Sequence, residues 1–190
     1  MSATVKAIVI GASAGAVQSL LRILPPLPKD YGLPVLVVVH VPPDRSNVLA
    51  PLLRDRCQLT VKEAEDKELV SAGVVYVAPS DYHVLVETDE SISLSGEEPV
   101  NYSRPSIDLL FESAADAYGD GLVGVILSGA NEDGAAGLAR LASVGGTALV
   151  EDPTTAYAST MPQAALDACP MARRMSLDEI GAFILKAGGT

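Results

Sequence analysis

Residues Pro34 to His40 read Pro-Val-Leu-Val-Val-Val-His, an unbroken and largely β-branched apolar run. A strand of that kind has no polar face to show water. It must be covered on both sides, which points to the interior of a parallel sheet flanked by helices. Val5 to Ile10, Leu122 to Leu127 and Thr147 to Val150 are further runs of the same kind. Helical periodicity fills the gaps. Val17, Leu20, Leu21 and Leu24 fall at i, i+3, i+4 and i+7, and Pro25, Pro26 and Pro28 stop that helix. Ser46 reads as the N-cap of a helix through Arg56. Pro105 to Tyr118, Ala135 to Ser143, Pro162 to Ala168 and Leu177 to Lys186 read as helices as well.

The middle of the chain breaks this rhythm. Leu59 to Val61, Val74 to Val77, Tyr82 to Val86 and Ile92 to Leu94 are short apolar stretches separated by turns, and they read as an antiparallel insertion. The expected fold class is therefore α/β: a doubly wound, mostly parallel sheet flanked by helices, with a short antiparallel β-hairpin region mid-chain. No linker, repeat or low-complexity tract interrupts the 190 residues, so residues 1–190 read as one domain.

Composition removes several function classes. Against 13 Lys and Arg stand 24 Asp and Glu, a formal net charge of −11. Nucleic acid demands a basic footprint, and anionic membranes repel such a body. No apolar run approaches a membrane span of roughly 20 residues, and no signal peptide is evident. The expectation is a soluble, cytoplasmic protein with no nucleic-acid partner and no membrane insertion. Two cysteines, Cys57 and Cys169, make neither a disulfide framework nor a zinc site. His40, His83 and the scattered carboxylates lack metal-ligand spacing, so no metal and no cofactor are expected.

In an open parallel sheet, ligands bind beyond the carboxyl ends of the strands. Three loops there carry unusual residues: Gly11 to Gly15, His40 to Pro43 and Ser128 to Gly134. Gly11-Ala-Ser13-Ala-Gly15 has the G-x-S-x-G pattern between a strand and a helix, the context in which a serine hydroxyl is exposed beside free helix N–H groups. A Gly-rich phosphate or dinucleotide loop is the alternative, but G-x-G-x-x-G is absent and His40, not an acid, ends the second strand. A serine nucleophile needs a base, and His40 lies on the same predicted edge as Ser13. His83 suits a local structural or rim role. The carboxylate that fixes the imidazole is expected from Asp133, whose competing role is helix N-cap for Ala135 onward. Asn131 or Glu132 could divide these two roles with it.

Taken in order, the motifs are Ile10-Gly-Ala-Ser13-Ala-Gly15, His40-Val-Pro-Pro43, Val61 to Asp66, Tyr76 to His83, Arg104 to Phe111, Val125 to Gly129, Asp133 to Gly137 and Met161-Pro162. Together they resemble the catalytic domain of the CheB protein-glutamate methylesterases, over nearly the whole chain. The resemblance implies a catalytic triad of Ser13, His40 and Asp133; Ala14, Ala130 and Met161 are the oxyanion and pocket candidates beside it. It also implies hydrolysis of glutamate γ-methyl esters on chemoreceptor-type signalling proteins, glutamine deamidation, and a glutamyl-enzyme intermediate. Arg45, His83 and Arg104 are the substrate-rim candidates. Arg54 belongs to the same basic set, with a structural ion pair as its alternative.

Some positions depart from the pattern. Ala14-Gly15-Ala16 stands where the family usually has Thr-Gly-Gly, Val39 where it has Gln, and Gly129-Ala130-Asn131 where it has Gly-Met-Gly. These departures leave open a serine esterase of the same fold acting on a non-receptor protein or a small ester. A non-catalytic signalling module and a nicotinamide-dependent oxidoreductase are the remaining readings. The regulated family members carry a receiver domain before the catalytic strand. The chain is then either a fragment of such a protein or a stand-alone member, and Met1-Ser-Ala-Thr4, which reads as a natural start, favours a stand-alone member with a separate receiver or kinase protein as its partner.

Overall fold

The computed structural model describes residues 4–41 and 48–189. Seven strands form one parallel sheet: β1 (Ala7–Ala12), β2 (Val35–Val39), β3 (Thr60–Glu63), β4 (Val74–Val77), β7 (Leu122–Ile126), β8 (Thr147–Glu151) and β9 (Arg173–Met175). Their spatial order is β3-β4-β2-β1-β7-β8-β9. The two remaining strands, β5 (His83–Val86) and β6 (Ile92–Ser95), pair antiparallel as a separate hairpin.

The sheet is buried on both faces, as the apolar runs require. Every residue of β1, β2 and β7 is buried. Ile8 and Ile10 of β1 point to one side, where they pack with α1 (Ala16–Ile23), α2 (Leu49–Arg54) and α6 (Leu177–Gly188). Ala7 and Val9 point to the other, toward α3 (Ile107–Tyr118), α4 (Ala135–Ser143), α5 (Thr160–Ala168) and the hairpin. Each fully buried Leu, Ile or Phe in these two layers contributes about 1.5–3 kcal/mol.

Two expectations are corrected, and one element is new. Thr60–Glu63 and Val74–Val77 are not part of an antiparallel insertion: both pair parallel, extending the main sheet outward from β2. Their brevity hides this, because four residues show no clear periodicity. The helix expected to run through Arg56 ends at Arg54, while Ser46 lies outside the described residues. The edge strand β9 was not foreseen. Its sequence is Arg-Arg-Met, largely exposed, and charged short strands are how sheets protect their edges.

The winding reverses at β1. From β1 the chain passes through α1 to β2 on one side, and it returns later to β7 on the other. The loops leaving β1 and β7 therefore diverge and open a crevice at the carboxyl end of the sheet.

Candidate active site

Ser13 follows β1 directly. Its N–H donates to the Ser128 carbonyl at 2.9 Å, and its own carbonyl accepts from Ala16 N–H at 3.0 Å. Gly15, the residue before α1, has φ of 85°. A Cβ there would be strained, and it would also lie 2.7 Å from Tyr157 Cβ and 3.0 Å from Ser128 Oγ. Only glycine lets the chain turn this tightly from strand into helix.

His40 stands one residue past β2, its N–H bonded to the Ala12 carbonyl at 3.2 Å. The ring is 12% exposed, and its Nε2 lies 2.7 Å from Oδ2 of the fully buried Asp133. Ser13 and His40 line one cavity of about 490 Å³ with Gln18 and Tyr157. A second cavity of about 400 Å³, lined by Asp81, Tyr102, Arg104 and Pro105, opens on the other side of His40.

Asp133 accepts four further hydrogen bonds. They come from Ile107 N–H at 2.6 Å, Asn101 Nδ2 at 3.0 Å, Ser106 Oγ at 3.0 Å and Asp108 N–H at 3.2 Å. Burial pushes its carboxyl upward, but the bonds from His40, Ile107 and Asn101, together with the imidazole charge, outweigh that. Asp133 is held below the usual carboxylate range. It is therefore an anion, and an anionic acceptor fixes the proton on His40 Nε2. The other ring nitrogen, Nδ1, is then the one without a proton.

The N-cap role weighed for Asp133 falls elsewhere. Gly134 precedes α4 with no side-chain cap of its own. Asp108 serves instead, accepting from Gly137 N–H at 2.6 Å and Gly134 N–H at 3.1 Å. The sequence reading missed Asp108, Ser106 and Asn101 as parts of the site. The turn Asn101 to Ser106 carried a signal, a dense run of polar and Pro residues, but nothing in it pointed to Asp133.

The rim candidates fare differently. Arg45 lies outside the described residues. His83 is not on the rim. It is fully buried, with Nδ1 accepting from Ser106 N–H and Nε2 donating to the Glu98 carbonyl, each at 3.0 Å. Arg104 lines the second cavity, but its guanidinium is committed to Asp81 and to the Gly96 and Glu97 carbonyls. Arg54 holds the Val61 carbonyl. Ala14 lines the Ser13 cavity and Ala130 is exposed in the loop after β7. Met161 is buried and packs on Gly129. Among the described residues no group of His, Cys, Asp and Glu is placed to hold a metal ion.

Residues 8–184 match the family model described as CheB methylesterase. The chain belongs to the CheB methylesterase family. It is 45% identical over 181 residues to a Leptospira interrogans protein named provisionally as a protein-glutamate methylesterase/protein-glutamine glutaminase, covering 95% of this chain and 94% of that one. A Caulobacter vibrioides protein-glutamate methylesterase/protein-glutamine glutaminase is 39% identical over 184 residues, but this chain spans only 53% of its length. The crystal structure of the Thermotoga maritima CheB methylesterase catalytic domain superposes with a TM-score of 0.89 at 33% identity, over 97% of this chain and 99% of that one. Among the described residues no helix is long and apolar enough to cross a membrane.

Proposed function

We propose that this CheB-family chain is a serine hydrolase that cleaves glutamate γ-methyl esters on chemoreceptor-type signalling proteins. Ser13 is its nucleophile, His40 its base and Asp133 the group that fixes the imidazole. The observation that carries the reading is the 2.7 Å contact of the fully buried Asp133 with His40, at the wall of the cavity that Ser13 also lines.

Ser13 Oγ attacks the ester carbonyl and its proton passes to His40 Nδ1. Collapse of the tetrahedral intermediate breaks the acyl–oxygen bond, and His40 returns the proton to the departing methoxide, releasing methanol. Water then attacks the glutamyl-Ser13 ester by the same route and frees the carboxylate. A γ-carboxamide would follow the same course and lose ammonia. The N–H groups of Ala14 and Ala130 are the proposed oxyanion donors, and no described residue accepts from either.

Methanol release from a methylated receptor tests the proposal. The native chain is expected to release it and the Ser13→Ala variant to release none above background. Release undiminished in that variant would overturn the nucleophile assignment. The same assay on small methyl esters separates a receptor-directed enzyme from a general esterase.

A further inference from the structure

Asn131 occupies the nitrogen that the chemistry needs. Its Nδ2 lies 3.0 Å from His40 Nδ1. The orientation of this amide is fixed, because its Oδ1 accepts from Asp133 N–H at 3.1 Å. Nδ2 must therefore face the ring and act as a donor. His40 Nε2 carries the ring proton toward Asp133, so the bond from Asn131 fills the in-plane lone pair of Nδ1. An imidazole nitrogen has one such lone pair. Ser13 Oγ–H cannot use it while the amide is in place, and Ser13 and His40 share a cavity wall without a hydrogen bond between them.

We propose that Asn131 is a latch on the base: in the resting enzyme its side-chain amide caps His40 Nδ1, and the entering acyl group of the substrate displaces it. This rests on reading His40 as the base for Ser13. Asn131 is only half-buried, in the loop after β7, so the side chain has a route out of the contact. It acts through His40 and is a positioning residue. The latch keeps Ser13 from becoming nucleophilic until the cavity is filled, which limits futile reaction with water or small esters.

A merely structural role for Asn131, closing the turn onto Asp133 N–H, makes the opposite forecast for the informative variants. Asn131→Asp preserves that turn, since a carboxylate oxygen can accept from Asp133 N–H. It also sets an acceptor against Nδ1 and draws a proton onto it, which disables the base. Asn131→Ala and Asn131→Gly abandon the turn bond but leave Nδ1 open.

The experiment is labelling by a fluorophosphonate probe, followed as a rate constant on the fraction that labels, so protein lost to misfolding does not alter the reading. Under the latch, Asn131→Ala and Asn131→Gly label about fivefold faster than the native chain, the rate equivalent of the ~1 kcal/mol net worth of one hydrogen bond. Asn131→Asp labels more slowly than the native chain. For the Ala and Gly variants, methyl-ester hydrolysis rises in kcat/KM through a lower KM, because the latch is already displaced in the substrate complex, whereas Asn131→Asp loses kcat with its base. A native-like Asn131→Asp with slower Ala and Gly variants would overturn the latch and leave a turn-forming residue. If the native chain labels no faster than Ser13→Ala, the reading of Ser13 and His40 has failed instead, and that outcome is distinct.

Discussion

Asp108 and Asp133 cap each other's helices. Asp133, in the loop before α4, accepts from the N–H groups of Ile107 and Asp108 that begin α3. Asp108, in the first turn of α3, accepts from Gly134 and Gly137 at the start of α4. The first turns of both helices and the carboxylate facing His40 thereby form one unit. Both side chains are buried, and they differ in charge balance. Burial first, and then the Asp133 charge, pushes Asp108 upward, whereas Asp133 stays below the usual range.

Asp108→Ala should destabilise the protein and slow it. Two helix N–H groups lose their acceptor, at about 1–3 kcal/mol for each donor left buried and unsatisfied. Asp108→Asn keeps one acceptor oxygen and should lose less. Thermal melts of the two variants read the difference. Equal melting points for Asp108→Ala and the native chain would refute the exchanged caps.

Asp133→Asn should leave most of the packing in place while removing activity. The amide cannot accept from every donor around it, and it no longer holds the proton on His40 Nε2. Loss of the orienting carboxylate in a serine hydrolase costs a factor of about 10⁴ in kcat through the wrong tautomer. Stopped assays of ester hydrolysis on folded protein measure this, and a loss of less than about tenfold would argue that Asp133 serves the caps alone.

How much of this could be read beforehand depended on sequence separation. The unbroken run at Pro34 to His40 identified the parallel sheet, because burial on both faces leaves a direct mark on composition. Ser13, His40 and Asp133 could be nominated from sequence because each lies in a loop that follows a strand of the parallel sheet at one edge. The exchanged caps were not, since Asp108 and Asp133 lie in separate motifs and either alone looks like an ordinary helix-start acid. The parallel placing of β3 and β4 was hidden for a related reason: pairing across a sheet is a non-local property, and four residues carry too little pattern to declare it. His83 was open to a local structural or a rim role, and sequence could not choose between them, because the inward turn of its ring to Ser106 is a contact 23 residues away.

His83→Ala should therefore be a stability variant. Removing the ring leaves the Ser106 N–H and the Glu98 carbonyl without their partner, and the site loses a fully buried side chain. Ser106 Oγ also donates to Asp133, so a modest fall in turnover is expected. The fall in kcat per folded molecule should be far smaller than for His40→Ala. Comparable losses in the two variants would mean that His83 takes part in the chemistry.

Glu151 offers a test by pH. It ends β8, is 2% exposed, and accepts from Ser128 N–H at 2.8 Å. Burial pushes its carboxyl upward, and the bonds from Ser128 and Ser19 only partly offset this. A carboxyl raised in the folded state binds its proton more tightly there than in the unfolded chain. Its contribution is complete below the unfolded value of about 4.3 and is lost as pH rises through the folded value. Glu151→Gln carries no ionisable group and keeps a carbonyl oxygen for Ser128. The melting temperature of Glu151→Gln minus that of the native chain should thus become more positive from mildly acid to neutral pH. A difference that stays flat would mean that Glu151 ionises freely in the fold. The matter bears on the active site as well, because the Ser128 carbonyl accepts from Ser13 N–H. Ser128 alone stands between the buried carboxyl and the proposed nucleophile, its N–H on Glu151 and its carbonyl on Ser13 N–H.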